Sequence, residues 1–278
     1  MKYLFFGTPE FAAIILEKLI NAGFIPSAVV CNPDKPTGRK KIITPPLTKL
    51  LAIKYNIPVL QPEVLSIFNF QFSISNFDFF IVASYAKILP KEILEIPRFG
   101  TIGVHPSLLP KYRGPSPIQA AILNEEQETG VTLFLLDEKV DHGPVLENRK
   151  QKIENSDNYK TLHNKLAELG GDLLIETIPK FLREEIKSQP QDESQATYTK
   201  KFSAEDGFVG FKDLEKAQKD GGQIAIEVER KIRALNPEPG VWTIKDGKRM
   251  KILEAELMPD KTLKLKKIQF EGKKPVSI

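Results

Sequence analysis

An imidazole at the end of a strand and a carboxylate in the loop after another strand are the parts of a proton-transfer site, and this sequence carries both. His105 ends the apolar run 101–105 and leads straight into Pro106-Ser107-Leu108-Leu109-Pro110-Lys111-Tyr112-Arg113-Gly114-Pro115-Ser116-Pro117. Prolines reduce the backbone entropy of that loop, which suits a site that must keep its shape. Asp141 lies in the acidic stretch 136–144, with Gly143 to permit a tight turn. A carboxylate near an imidazole favours the imidazolium or fixes one tautomer, and it can order a water. A His taken alone is more often a satisfied core or surface residue, and from spacing alone an Asp141 that hydrogen-bonds its own turn is an equal reading; the loop around His105 favours the site.

Strands and helices must bring these residues together. Short apolar runs at 3–6, 28–31, 58–60, 79–83, 101–105 and 131–136 read as strands. Between them, 9–22 and 47–55 read as helices, the first with a Pro at its start and Gly23 after its end. This alternation predicts an α/β fold, a Rossmann-like, mostly parallel sheet with helices on both faces. Ligands of such sheets bind outside the carboxyl ends of the strands, where His105 sits. The leucines at 162, 166, 169 and 173 predict a long helix over 159–183 that closes a first domain, 1–183. Polar residues at 184–206 read as a linker. A second domain, 207–278, opens with a helix at 224–235. Short strands at 241–244, 251–256 and 263–268 follow, with Asp246-Gly247 as a hairpin turn. These predict a small β-barrel like that of oligonucleotide-binding folds.

Composition narrows the function. The chain has 278 residues and a formal net charge of +4, and its single cysteine, Cys31, allows no internal disulfide and no thiolate zinc site. No metal is expected, and the thiol usage predicts a cytoplasmic setting. No apolar run is long enough for a membrane span. Lys35, Arg39, Lys40 and Lys41 share a Pro/Gly loop after the second strand. That end of the sheet faces the site, so the loop suits a phosphate-bearing substrate; the alternative is a solvated charge run. Lysines also crowd the last 31 residues (248, 251, 264, 266, 267, 273 and 274) with Arg249, beside Trp242 and Phe270. A basic barrel face of this kind can track a nucleic-acid backbone.

Three stretches carry a resemblance. Phe6-Gly7-Thr8-Pro9-Glu10-Phe11, the block from His105 to Gln119, and Asp141-His142-Gly143 are similar to the folate-dependent formyltransferases over nearly the whole chain. Ile232-Arg233-Ala234-Leu235-Asn236-Pro237 resembles the second domain of the branch that formylates the methionine carried by initiator tRNA. The resemblance implies that 10-formyltetrahydrofolate is the donor, that the methionine amine of initiator Met-tRNA is the acceptor, and that the protein works as a monomer. The family's catalytic set is an Asn, a His two residues later and an Asp further on. His105 and Asp141 match; Gly103 stands at the Asn position. In the family, the His and the Asn amide stabilise the oxyanion of the tetrahedral intermediate, and losing one such donor costs about two to three orders of magnitude in rate. Alternation puts residues 103 and 105 on one face, so Gly103→Asn is expected to restore a donor and raise the rate.

The resemblance also assigns folate binding to Tyr85, Ala86, Lys87, Ile88 and Leu89, with Ser107, Leu108, Leu109 and Pro110. Backbone groups there would meet the pterin edge while apolar side chains flank its ring. The alternative for Ile88 and Leu89 is a core position. Lys35, Arg39, Lys40 and Lys41 resemble the basic insertion that grips the tRNA acceptor end. His142 reads as a loop residue and His163 as a helix-surface residue. Two other functions stay open: formyl transfer to a small amine such as glycinamide ribonucleotide or an amino sugar, and an impaired homologue that only binds folate or tRNA, motivated by Gly103.

Overall fold

A computed structural model describes residues 1–38, 41–65 and 76–278. They form two compact units. One comprises Met1–Gly114, Glu128–Lys152 and His163–Tyr198; the other comprises Pro115–Gln127, Ile153–Leu162 and Thr199–Ile278.

The chain begins β1 (Tyr3–Gly7), α1 (Glu10–Asn21), β2 (Ala28–Val30), β3 (Lys35–Thr37), β4 (Ile42–Thr44), α2 (Leu47–Lys54) and β5 (Val59–Leu60). It continues through β6 (Phe79–Ala83), α3 (Lys91–Leu94), β7 (Thr101–His105), α4 (Pro117–Leu123), β8 (Glu128–Leu135), β9 (Val145–Lys152) and α5 (Tyr159–Leu182). The C-terminal elements are α6 (Phe211–Lys219), α7 (Gln223–Leu235), β10 (Val241–Lys245), β11 (Lys248–Leu257), β12 (Leu263–Phe270) and β13 (Val276–Ser277).

The first unit is built on a seven-stranded sheet of order β5-β2-β1-β6-β7-β8-β9. The strands from β5 to β7 are parallel, and β8 and β9 add an antiparallel edge. Continuous apolar runs explain the centre of the sheet: every residue of β1 and β7 is buried. Phe6, Phe80, Tyr85, Leu89 and Ile93 form one core on one face of it. Helix α1 buries Phe11, Ala12, Ile15, Leu16, Leu19 and Ile20, an apolar stripe at helical spacing. His163 is a buried residue and not the surface one expected: its ring meets Phe11 edge-on at 5.4 Å and its Nδ1 lies 3.0 Å from Asn164 Oδ1. Strand β9 escapes a periodicity reading because Glu147, Asn148, Arg149, Lys150 and Gln151 form a polar edge strand.

The second unit joins α4, α6 and α7 with an antiparallel sheet of order β10-β11-β12-β13. Asp246 and Gly247 take φ of +52° and +71°, the left-handed pair that a two-residue hairpin needs between β10 and β11. Helix α7 buries Ala225, Val228, Ile232 and Leu235. Its Arg230 donates to Leu123 O at the end of α4 and pairs with Glu125. The run 211–219, which the sequence reading left outside any element, is helix α6, with Leu214 and Ala217 buried.

Candidate active site

Strand β7 delivers His105 to the carboxyl end of the sheet, where its ring is only 6% exposed. Its Nε2 lies 2.9 Å from the carbonyl oxygen of Tyr112. A carbonyl only accepts, so Nε2 carries a hydrogen and donates it. Nδ1 is left facing Asp141, 3.6 Å from Oδ2. The structure therefore brings together the two residues that the sequence nominates, and leaves Nδ1 as the ring nitrogen that faces the carboxylate. A proton there lies beside a carboxylate, which offsets its charge. The same Asp141 Oδ2 accepts the backbone N–H of Gly114 at 2.7 Å, which fixes the carboxylate.

The loop that follows His105 is shaped by buried polar contacts. Thr132, directly across from His105 in the β7–β8 pairing, donates to Ser107 O at 2.7 Å and accepts from Leu109 N at 3.0 Å. Ser107 Oγ donates to Lys111 O at 2.6 Å and its side chain is fully buried, so it serves the loop. Leu109 is buried, Leu108 and Pro110 are half-buried, and Pro110 O accepts from Thr197 N. Gly143 is required for a reason other than turn freedom: a Cβ there would run into Leu135 O.

Gly103 overturns one expectation. It shares a face with His105, but the space beside it is occupied. A Cβ on Gly103 would lie 2.5 and 2.7 Å from the Cε1 and Cζ atoms of Phe134 and against Leu136 Cδ1. Phe134 is the cross-strand partner of Gly103 and is 3% exposed. A side chain added by one substitution therefore meets a packed ring and not an open cleft.

The second loop of interest follows β6. Ser84 and Ala86 take φ of +48° and +62°, so the backbone doubles back at the strand end. Asn32 Nδ2 donates to Tyr85 O at 3.2 Å, and Lys87 Nζ donates to Pro62 O and Glu63 O at 2.9 Å each, so both pin this loop. The Tyr85 ring turns inward against Phe6 at 5.5 Å, and its hydroxyl, buried without a hydrogen-bond partner among the described residues, is pushed up to about 12 by burial. The pair Ile88 and Leu89 divides: Leu89 is core at 4% exposure, while Ile88 is 78% exposed and able to cover the face of a flat ligand.

Lys35 lies on β3 and Lys41 is a turn residue directly before β4, both exposed on a two-stranded hairpin where the sequence suggested a loop. Arg39 and Lys40 lie outside the described residues. Among the C-terminal cations, Lys266 and Lys267 pair with Glu256 and Glu254, and Arg249 stacks over Trp242 at 4.1 Å. Sequence reasoning assigned no role to Thr132, Phe134, Gln191 or Glu193, and it quoted Arg113 without one. Residues 191 and 193 sit in a stretch of linker composition, and nothing local marks them.

Comparison with known proteins places the chain among its relatives. Residues 1–178 match the formyl transferase family and residues 222–262 match the formyl transferase C-terminal domain. A methionyl-tRNA formyltransferase of Staphylococcus aureus is 41% identical over 259 residues, covering 92% of this chain and 80% of that protein. Among solved structures, a 4-N formyltransferase from Francisella tularensis superposes with a TM-score of 0.68 at 16% identity, covering 91% of this chain and 96% of that one. An N-formyltransferase from Helicobacter canadensis, solved with folinic acid and dTDP-3-aminofucose, gives 0.61 at 20% identity over 93% of this chain and 88% of that one. At those identities the structural likeness speaks for the fold; the family matches and the 41% relative speak for more, and the chain belongs to the formyl transferase family.

Proposed function

We propose that this chain transfers the formyl group of 10-formyltetrahydrofolate to the methionine amine of initiator Met-tRNA. The observation that carries the reading is the His105–Asp141 pair, held on the fold of this family in a chain 41% identical to a methionyl-tRNA formyltransferase. The amine attacks the formyl carbon and gives a tetrahedral oxyanion. Nδ1 of His105 takes the proton that the amine nitrogen loses and passes it to the folate nitrogen as the bond between that nitrogen and the carbon breaks. While Nδ1 holds that proton the ring is positively charged near the oxyanion, and Asp141 balances it. The loop of Tyr85, Ala86, Lys87, Ile88 and Leu89, with Leu108, Leu109 and Pro110, forms the folate side, and the buried Ser107 braces it through its bond to Lys111 O. Lys35, Arg39, Lys40 and Lys41 form the tRNA side. In this reading residues 1–183 carry the chemistry, 184–206 connect, and 207–278 hold the tRNA; the protein acts as a cytoplasmic monomer. The described residues contain no helix long and apolar enough to cross a membrane.

Gly103 supports a second reading, an impaired homologue that binds both substrates without efficient transfer, because the position lacks a donor and a packed ring fills it. Single-turnover transfer from labelled 10-formyltetrahydrofolate separates the readings. Formyl-Met-tRNA as product, with amino sugars and glycinamide ribonucleotide unreacted, supports the first. Binding without product supports the second.

A further inference from the structure

Arg113 is fully buried, yet no role in the transfer has been given to it. Its guanidinium makes a two-pronged pair with Glu193, Nη2 to Oε1 at 2.6 Å and Nη1 to Oε2 at 3.0 Å. Nε and Nη2 also donate to Gln191 Oε1 at 3.1 and 2.8 Å, and Nη1 donates to the Tyr198 hydroxyl at 3.1 Å. The amide of Gln191 then reaches the acidic loop: Nε2 donates to Asp141 O at 3.0 Å and to Gly143 O at 2.8 Å. Thr197 completes the seam by accepting from Tyr112 N with its hydroxyl at 2.8 Å and from Arg113 N with its carbonyl at 2.9 Å.

Both residues that touch the His105 ring, Tyr112 and Asp141, have left-handed backbones, with φ of +62° and +49°. Neither is glycine, so each conformation needs support from its surroundings to persist. The neighbours of Arg113 supply it. Gln191 ties down the carbonyl of Asp141, and Thr197 ties down the amide of Tyr112. The Glu193 carboxyl is held below the usual carboxylate range, first by its hydrogen bond to Arg113.

We propose that Arg113, Gln191 and Glu193 form a clamp by which the segment 191–198 positions the His105–Asp141 pair. These are positioning residues. They act on the backbone: Gln191 fixes the main-chain carbonyl of Asp141, and the segment they anchor carries Thr197, which fixes the amide of Tyr112. Arg113 suits this because its planar fork engages a carboxylate and an amide oxygen at once, which a lysine cannot do. The stretch 184–206 is then a working part of the site. The kinetic consequence of the clamp rests on the proposed transfer reaction; its structural consequence does not.

The main test uses Gln191→Ala, because Glu193 also faces His142 at 3.6 Å and its loss has two effects. With three histidines in the chain, imidazole nitrogen NMR resolves each ring. The wild type is expected to show His105 as the Nε2–H tautomer, and Gln191→Ala to mix the tautomers without unfolding the protein. In single-turnover transfer, the variant is expected to lose about ten- to hundredfold in rate, with the KM for the formyl donor within about twofold of wild type. Gln191→Glu, which keeps the acceptor for Arg113 but loses both donors to the loop, should behave like Gln191→Ala. Glu193→Gln should lose less. An unchanged His105 tautomer in Gln191→Ala overturns the clamp, whatever the substrate. So does a rate that falls only with the fraction folded, or a raised KM at unchanged kcat. A wild type that transfers nothing to Met-tRNA while the tautomer shift is seen removes the proposed reaction and leaves the clamp standing.

Discussion

The Phe134 ring occupies the space that a side chain on Gly103 would fill, its Cε1 and Cζ atoms 2.5 and 2.7 Å from where a Cβ would stand. The two residues face each other across β7 and β8, so a change at one is a change at both. Gly103→Asn alone is expected to lower stability by about 1–3 kcal/mol, as overpacking does, and to leave the transfer rate unimproved. With Phe134→Ala added, the ring is gone and the flexible end of Leu136, whose Cδ1 stands against the Cβ position, has room to turn aside; the rate is then expected to rise at least about tenfold over Gly103→Asn. The pair should be coupled by about 1–3 kcal/mol in a double-mutant cycle of urea unfolding. Additive effects at the two positions would show that Phe134 yields freely.

The proton-transfer pair gives a sharper expectation. His105→Ala should lose about two to four orders of magnitude in single-turnover rate, the usual worth of a positioned acid or base, with folate affinity unchanged. Asp141→Asn keeps an oxygen for the Gly114 amide but removes the charge 3.6 Å from Nδ1. It should therefore fold normally and lose rate. Wild-type rates in His105→Ala at saturating folate would exclude the ring from the chemistry.

Gly143 tests the shape of the acidic loop without touching its charge. A Cβ there collides with a backbone oxygen, Leu135 O, which cannot swing aside as a flexible side chain can. Gly143→Ala is expected to displace Asp141 and to cost about 1–3 kcal/mol through strain. Equal urea midpoints for the variant and the parent would mean that the β8 end moves without cost.

The strands at the centre of the sheet were legible because parallel strands buried on both faces leave unbroken apolar runs, as Phe79–Ala83 does. His105 stood out as the residue that ends an apolar run, and Asp141 as a carboxylate in the acidic loop after another. The hairpin carrying Lys35 was not, because its exposed residues offer no alternation against a core. Phe134 reads only as one more core aromatic; its meaning comes from its register opposite Gly103, a pairing between strands that no local pattern records. Gln191 and Glu193 were invisible for the same reason, since their partner Arg113 lies far away in sequence.

The tRNA side rests on charge, and salt reports charge. Lys35 and Lys41 are exposed on the β3–β4 hairpin, and Arg39 and Lys40 lie between those strands in sequence. Replacing Lys35, Arg39, Lys40 and Lys41 by Ala should weaken Met-tRNA binding and flatten its dependence on salt. The slope of log K against log salt is expected to fall by about 0.7–0.9 for each phosphate contact removed. Folate affinity should not change. An unaltered slope in filter-binding titrations would leave the hairpin as solvated surface.

Cys31 offers a prediction independent of the reaction. It is fully buried at the end of β2, and burial pushes its thiol up to about 11, with a Thr48 hydrogen bond and the Lys49 charge only partly opposing. The thiolate is the nucleophile, so a thiol that is buried and protonated reacts slowly. Ellman's reagent should leave native Cys31 unmodified at pH 8 on a timescale that fully labels the urea-unfolded chain. The same shift has a sign for stability. A group whose folded pKa lies above its unfolded value contributes fully below the unfolded pKa, and the contribution is lost as pH rises through the folded one. The window therefore opens near the ordinary thiol value of 9.0 and closes near about 11. Across it, wild type should lose stability faster than Cys31→Ala, so the cost of that substitution shrinks as pH rises. Below pH 8 the cost should be constant, set by the small cavity alone. A difference between the two proteins that stays flat from pH 7 to pH 10.5 in urea titrations would show that the thiol ionises in the folded state as readily as in the unfolded chain.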